Sequence, residues 1–196
     1  MSKNYLETIK SLDGEIFNLL YHQRRYASVL KSLGISEFKN LKEFLNPPAS
    51  GLYRCRLSYD EQEINITYHK YKKRDVKSIK LVYDDEIDYS KKYSDRSELD
   101  NLFNKRENCD EILIVKNSLV TDTTIANVAF YNDGLWYTPK KPLLKGTTRA
   151  RLLDAGKIME KDIYVKDLKN YSKVALMNAM IDFDIITEYD LKDVTC

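Results

Sequence analysis

Alternation of apolar and polar residues predicts strands along the first part of the chain. Residues 6–12 and 15–19 are short runs rich in apolar and β-branched residues, and Asp13-Gly14 separates them. An Asp-Gly pair between two such runs favours a two-residue hairpin turn. Residues 52–60 and 63–71 also alternate, so we expect two further strands there.

Helical spacing predicts two helices between these strands. The first should run over residues 19–31, with Asn18 as its cap and Gly34 marking its end. The second should cover residues 36–45 and stop at Pro47-Pro48, because proline cannot continue a helix.

The second half of the chain is predicted to be rich in strands. A helix capped by Ser94 or Asp95 should reach about residue 106. Further along the chain, a turn at residues 132–134 should join two strands. The predicted strands of the second half are residues 111–116, a strand that begins at 119–120, and residues 125–131, 135–138, 164–165 and 174–186. Residues 77–83 are a further predicted strand, which lies before the acidic residues 84–88. The acidic residues 84–88 are the predicted boundary, which gives a small α/β domain (1–84), a linker (85–92) and a larger β-rich domain (93–196).

The segment Leu-Lys-Gly-Thr-Thr-Arg-Ala-Arg, residues 144–151, has the pattern of a loop that leads into a helix. Gly146 permits a sharp turn, and Thr147 and Thr148 can cap the helix. Unpaired backbone N–H groups and the helix dipole attract anions to such an end, and the threonine hydroxyls can add donors. The pattern fits a phosphate site, and it also fits an ordinary capped helix, which is the commoner case.

Composition narrows the function classes. Hydrophobic residues make up 43% and charged residues 32% of 196 residues, which indicates a folded protein, and the net charge of +2 gives no argument for a nucleic-acid or membrane partner. With no apolar segment long enough for a membrane span and no signal sequence, we expect a cytoplasmic protein. Three separated cysteines without Cys-x-x-Cys spacing, and two isolated histidines, predict neither disulfides nor a metal site.

Basic residues in the first half allow two interpretations each. Arg54 and Arg56 lie two apart on a predicted strand and so share a face, where they can bind a substrate carboxylate or point into solvent. Residues 69–74, His-Lys-Tyr-Lys-Lys-Arg, resemble a single-stranded nucleic-acid binder or a charged edge strand. Solvent and an edge strand are the commoner cases.

The order of several short motifs resembles the class IV pyridoxal-phosphate (PLP) enzymes, which include branched-chain and D-amino-acid aminotransferases and aminodeoxychorismate lyase. The motifs span most of the chain: Leu6-Glu7-Thr8-Ile9, Tyr21-His22-Gln23-Arg24-Arg25, Lys92-Tyr93-Ser94-Asp95-Arg96, Asp110-Glu111, Asp122 with Asn127, Thr138-Pro139, Leu144 to Arg149, and Asn178-Ala179. The resemblance implies an α+β, two-domain fold of the D-amino-acid aminotransferase type, with mixed and antiparallel sheets and flanking helices. It also implies a homodimer.

The resemblance assigns the covalent bond to PLP and the contact with its pyridine nitrogen to two residues. Lys92, four positions before Arg96, matches the lysine that binds PLP covalently and then moves the substrate α-proton, although Lys91 stands beside it. Asp122 matches a glutamate that pairs with the pyridine nitrogen, and a buried carboxylate there keeps the nitrogen protonated. Asp122 is one methylene shorter than that glutamate.

The resemblance assigns the phosphate end of PLP to further residues. Arg25 matches an arginine that binds the phosphate. Gly146, Thr147 and Thr148 match backbone and hydroxyl donors to the same group, and Leu144 matches a residue that lies against the cofactor ring. The asparagine that follows the carboxylate by five positions, Asn127, completes the predicted cofactor site.

The function implied by the resemblance is aminodeoxychorismate lyase, which eliminates pyruvate from 4-amino-4-deoxychorismate and leaves 4-aminobenzoate for folate biosynthesis. Arg54 or Arg56 would receive a substrate carboxylate. The alternative is a class IV aminotransferase acting on branched-chain or D-amino acids at the same cofactor site. A third hypothesis, a binding module that uses residues 69–74, predicts RNA binding that weakens as salt rises.

Overall fold

The computed structural model describes residues 4–186, which divide into two compact units. The first unit contains the chain up to Lys73 together with Lys91–Asp95, and the second contains Arg74–Ser90 and the chain from Arg96 onward. The α+β class predicted from the sequence is confirmed, because the first unit has an antiparallel sheet and the second a mixed one. No helix within residues 4–186 combines the length and the apolar character needed to cross a bilayer.

The first unit is a four-stranded antiparallel sheet with one long helix. Its strands, in the spatial order β2-β1-β3-β4, and its helix are β1 (Tyr5–Leu12), β2 (Glu15–Ile16), α1 (Leu19–Ser32), β3 (Leu52–Tyr59) and β4 (Ile64–Lys70). The predicted hairpin is confirmed: Leu12 pairs with Glu15 across Asp13 and Gly14, both at positive φ. Alternation places Tyr5, Glu7 and Ile9 on one face of β1, and this face carries the core of the unit.

The predicted helix over residues 36–45 is wrong. Only a 3-10 segment, Leu41–Phe44, forms there, and Asn40 caps it by accepting from the Lys42 N–H. The side chain of Gln23 on α1 accepts from the Leu41 N–H at 2.8 Å and donates to the Lys39 carbonyl at 3.0 Å. These contacts replace the backbone bonds of a helix and hold fully buried Leu41 in the core.

Up to residue 186, the second unit consists of a mixed sheet and two helices. Its elements are β5 (Ile79–Tyr83), α2 (Ser97–Phe103), β6 (Glu111–Lys116), β7 (Leu119–Thr123), β8 (Asn127–Asn132), β9 (Leu135–Pro139), α3 (Thr147–Asp154), β10 (Met159–Lys161), β11 (Lys173–Asn178) and β12 (Asp182–Ile186). Two further 3-10 segments are Asn104–Arg106 and Val165–Asn170. The sheet runs β10-β9-β8-β7-β6-β5, and β11 pairs with both β8 and β12.

The strand β5 belongs to the second unit, although the predicted domain boundaries assign its residues to the first domain. The domains 1–84, 85–92 and 93–196 would put β5 in the first domain, whereas it pairs in parallel with β6 of the second unit. Apolar Ile79 and Val82 are buried there, and parallel pairing favours such apolar strands. The domain limits themselves remain a prediction.

Candidate functional site

A hairpin in the second unit brings the predicted pyridine-binding carboxylate and its asparagine together. Asp122 on β7 pairs with Asn127 on β8, so both side chains project from the same face. Thr123 closes the turn between them: its hydroxyl lies 3.0 Å from the Ala126 nitrogen, and its N–H donates to the Ala126 carbonyl at 2.9 Å. Asn127 Nδ2 consequently donates to Asp122 Oδ1 at 2.7 Å.

The same asparagine joins this hairpin to the loop before α3. Asn127 Nδ2 also donates to the Leu144 carbonyl at 2.8 Å, and the Leu144 N–H donates to Asp122 Oδ2 at 2.8 Å. A Cβ built on Gly146 would lie 1.9 Å from Asn127 Oδ1. Gly146 has a φ of −68°, which any residue adopts, so its need to be glycine comes from this contact.

The helix α3 presents an N-terminus without a side-chain cap. Gly146 is the N-cap residue, so Thr147 and Thr148 occupy the first helical turn instead of the predicted capping position. Both threonines are buried, and the first turn contains no acidic residue. The positive end of the helix dipole is therefore not neutralised by a local carboxylate, which suits an anion.

Burial dominates the electrostatics of Asp122. Burial raises the pKa of this carboxyl to about 7, although the donors at Leu144 and Asn127 and the charge of Arg149 act in the opposite direction. Near neutral pH both protonation states of this group are therefore populated. A cation brought beside it would favour the carboxylate form.

Arg149, in the first turns of α3, makes structural contacts with the neighbouring strands. Its side chain is 5% exposed, and one nitrogen donates to the Pro139 carbonyl at 2.9 Å and to Glu160 at 2.6 Å. These contacts tie α3 to the end of β9 and to β10. The arginine of the sequence motif thus supports the loop that carries Gly146.

In the first unit, Arg25 is held by a carboxylate that the sequence analysis did not assign. Arg25 Nε and Nη2 donate to the two oxygens of Glu7 at 2.7 and 2.5 Å, and His22 Nδ1 lies 2.6 Å from Glu7 Oε2. Burial alone would raise the pKa of Glu7, but the charge of Arg25 and the hydrogen bonds from His22 and Arg25 lower it to about 2.

Lys92 lies beside the strand that carries Glu7. The Leu6 N–H donates to the Lys92 carbonyl at 2.8 Å, and the Ser94 N–H donates to the Asn4 carbonyl at 2.8 Å, so residues 92–94 run along β1. The positive charge of Lys92 contributes to the lowered pKa of His22, after burial and Arg25. Lys92, His22 and Arg25 thus belong to one electrostatic neighbourhood.

Arg54 and Arg56 lie on the outer face of β3. The residues that alternate with them, Cys55 and Leu57, are fully buried, so the arginines point away from the core of this unit. Arg54 pairs with Lys10 of β1 and with His69 of β4. The structure thus gives the two arginines a shared basic face.

The predicted basic segment 69–74 is divided between two roles. His69 and Lys70 end β4, which is an edge strand of its sheet. Arg74 forms an ion pair with the fully buried carboxylate of Glu111, in the second unit. These contacts are those expected of a charged edge strand followed by a structural arginine.

Glu7 and His22 lie in the motifs that carry the resemblance, but the sequence assigned neither of them a role. A glutamate at an inward position of an alternating strand, and a histidine three residues before an arginine on one helix face, were the available signals. Within the second unit the structure joins Asp122, Asn127, Leu144 and Gly146 directly.

The donors present in each unit fit the chemistry of PLP. The second unit offers a buried carboxyl for a pyridine nitrogen, and a helix end where the contact between Gly146 and Asn127 leaves no room for a side chain. The first unit offers an anchored guanidinium at Arg25 and the amine of Lys92. No group of three or more His, Cys, Asp or Glu residues able to hold a metal occurs in the described part of the chain.

Comparisons with known proteins agree with this chemistry. Residues 95–189 match the family model of class IV amino-transferases. The chain is 39% identical over 180 residues to an uncharacterized protein of Haemophilus influenzae, a match covering 89% of this chain and 96% of that protein. It is similar to the crystal structure of a candidate 4-amino-4-deoxychorismate lyase from Haemophilus somnus 129PT, with 38% identity, a TM-score of 0.84 and coverage of 92% and 97% of the two chains.

A more distant structure shares the fold. The PLP-bound form of a hypothetical aminotransferase from Mycobacterium tuberculosis has a TM-score of 0.75 and 16% identity, and the match covers 96% of this chain and 81% of that chain. At this identity the likeness concerns the fold alone.

Proposed function

The chain belongs to the class IV aminotransferase family, and we propose that it is a PLP-dependent 4-amino-4-deoxychorismate lyase. The reaction releases pyruvate and leaves 4-aminobenzoate, a step of folate biosynthesis. One observation carries the cofactor part: the buried Asp122 carboxyl accepts hydrogen bonds from the Asn127 amide and from the Leu144 N–H, three residues before Thr147, where α3 starts without a side-chain cap. The identity of 38% over nearly the whole length of a candidate lyase supports the choice of reaction.

The proposed cofactor ligands follow from the contacts of each unit. In the second unit, Asp122 would pair with the pyridine nitrogen and Leu144 would lie against the ring. The N–H groups of Gly146, Thr147 and Thr148, together with the hydroxyls of the two threonines, would bind the phosphate. In the first unit, Arg25 would add a charged donor to the phosphate. Bound PLP supplies an electron sink for the charge that develops when the substrate α-proton leaves.

Lys92 is the proposed catalytic residue. It would hold the cofactor covalently, and its Nζ, once released, would take the α-proton and return a proton to the departing three-carbon fragment. Arg54 and Arg56 are the proposed ligands of a substrate carboxylate, supported by their shared basic face. A homodimer is proposed from the family resemblance, and sedimentation velocity tests it.

The experiment is an assay of the purified protein with PLP and 4-amino-4-deoxychorismate. We expect 4-aminobenzoate and pyruvate in equal amounts, and we expect Lys92→Ala to lower turnover by about 10² to 10⁴, the range for a lost acid-base group. Lys91→Ala is the matched control and should keep wild-type turnover. Borohydride reduction of the PLP-loaded protein should place the modified residue at Lys92. A colourless PLP-saturated protein without a reduced adduct at Lys92 contradicts the proposal.

A class IV aminotransferase is the second candidate, because solved structures with this fold include aminotransferases. The two reactions differ in the final proton transfer, which either completes an exchange of the amino group or accompanies loss of the pyruvate fragment. Incubation with branched-chain or D-amino acids and a 2-oxo acid distinguishes them. Transfer of the amino group without release of 4-aminobenzoate would decide for the aminotransferase.

A further inference from the structure

The cluster of Glu7, His22 and Arg25 has a feature that the proposed function does not use. Glu7 is fully buried on β1 and accepts hydrogen bonds from two side chains that lie one turn apart on α1. His22 is 1% exposed, and its second ring nitrogen, Nε2, is buried without a hydrogen-bond partner among residues 4–186. A buried polar atom without a partner is rare and calls for a physical explanation.

The partners of His22 determine which of its nitrogens carries the proton. Glu7 is ionised at neutral pH because its pKa is about 2, and an ionised carboxylate can only accept hydrogen bonds. Nδ1 of His22 must therefore be the donor in the 2.6 Å contact. Burial, with the charges of Arg25 and Lys92, lowers the pKa of His22 although Glu7 acts to raise it, so the ring is neutral and Nε2 carries a lone pair.

Glu7 also opposes the charge that Arg25 would present to an anion. The two form a bidentate pair, which fixes the plane of the guanidinium. A guanidinium has five N–H donors, so an arginine oriented by one carboxylate can still bind a phosphate. The carboxylate then has two opposite effects on phosphate affinity: its charge weakens binding, and the orientation that it imposes strengthens binding.

We propose that Glu7 is a positioning residue that fixes the guanidinium of Arg25 for a phosphate monoester and holds His22 in its neutral Nδ1–H tautomer. The phosphate part rests on the proposed function, because the phosphate is that of PLP. The tautomer of His22 is a property of the first unit alone. The charged and titratable groups around the pair are Arg25 on α1, Lys92 beside β1, and Tyr59 on β3, whose pKa Glu7 helps to raise after the larger effect of burial.

Nitrogen NMR of the protein tests the tautomer directly. The chain has two histidines, and the second, His69, is exposed on β4, so it serves as an internal control. We expect His22 to show a protonated Nδ1 and an unprotonated Nε2 at pH 7. A protonated Nε2 at pH 7 overturns the proposal.

Glu7→Gln tests the positioning role, because its two effects predict opposite changes. Loss of the charge alone would tighten PLP binding. Loss of the orientation should weaken PLP binding by about 3- to 10-fold, the cost of ordering a free long side chain. The amide can also donate to His22 Nδ1, so we expect the tautomer to change to Nε2–H. Glu15 is an exposed residue of the same hairpin, so Glu15→Gln makes the same charge change and should alter neither the affinity for PLP nor the tautomer of His22.

The outcomes separate the two proposals. Wild-type protein that fails to bind PLP in an absorbance titration overturns the proposed function and the role of Glu7 in phosphate binding. The nitrogen NMR spectrum of His22 then still decides whether Glu7 holds the Nδ1–H tautomer. Glu7→Gln protein that binds PLP as tightly as wild type, or more tightly, overturns the positioning role and leaves the proposed function intact. If Glu7→Gln does not fold, the wild-type spectrum remains decisive.

Discussion

Each unit buries one carboxylate at its candidate site, and the two carboxylates have opposite pKa shifts. Glu7 in the first unit has a pKa of about 2, and Asp122 in the second unit has a pKa of about 7. Both side chains are shielded from solvent, and burial raises the pKa of each. The difference lies in the partners, since Glu7 contacts a guanidinium and an imidazole whereas Asp122 accepts from an amide and a backbone N–H.

The two sites differ in whether a cation compensates the buried carboxylate before a ligand binds. The first unit already contains the cation that compensates its carboxylate, so Glu7 remains charged whether or not a ligand is bound. Asp122 is half protonated near neutral pH, and a cation placed beside it would lower its pKa. A pyridine nitrogen that must stay protonated is such a cation, so under the proposed function the second unit would gain charge compensation from the cofactor instead of from a side chain.

The largest expected effect is the loss of the cation in the first unit. Arg25→Met should leave the buried Glu7 carboxylate without its bidentate partner and should cost about 3–5 kcal/mol of unfolding free energy, as broken buried ion pairs do. Urea unfolding followed by circular dichroism measures this. Arg24→Met, on the exposed side of α1, is the control and should cost less than about 1 kcal/mol. Equal costs for the two variants would contradict the assigned role of Arg25.

A smaller effect is expected from crowding the second site. Gly146→Ala should cost about 1–3 kcal/mol, because its Cβ would overlap the Asn127 side chain. Unfolding followed by fluorescence of Trp136, the single tryptophan and a residue of the second unit, measures the loss. In an Asn127→Ala background the same substitution should cost little, and this double-mutant cycle is the control. An equal cost in both backgrounds would show that the contact does not determine the glycine.

The smallest effect is the pH dependence of the second unit. The folded pKa of Asp122 is raised above its unfolded value, so stability is highest while the carboxyl is protonated and falls as pH rises through 7. From pH 6 to 8 the loss should be about 1.4 kcal/mol, and Asp122→Asn should abolish this slope. Glu7 behaves oppositely: its stabilisation is present above the unfolded pKa and is lost as pH falls from about 4 toward 2. A wild-type slope that persists in Asp122→Asn would assign the pH dependence to another group.

Local signals predicted local structure well. The Asp13-Gly14 turn, the alternating strands β3 and β4, and the turn before β9 all formed where turn chemistry and alternation placed them. The interpretation of Gly146 as a loop residue leading into a helix is also confirmed, although its requirement for glycine comes from Asn127, which is distant in sequence.

Contacts between residues that are far apart along the chain could not be predicted from the sequence. The helix predicted over residues 36–45 was wrong because Gln23, on another element, takes the backbone partners of that segment. His22 stood alone in sequence because its partner Glu7 lies 15 positions away on a strand. Only the resemblance to a known family drew attention to Lys92, since periodicity does not distinguish it from Lys91.

The hairpin that joins β7 to β8 has a consequence for comparing chains of this kind. Strand side chains alternate between faces, so a one-residue shift in the pairing of β7 with β8 would turn the amide of Asn127 to the opposite side of the sheet from Asp122. The pairing of these two positions is therefore a checkable criterion: a homologous chain in which they do not lie opposite each other cannot build the same carboxyl–amide pair, however similar the rest of its sequence.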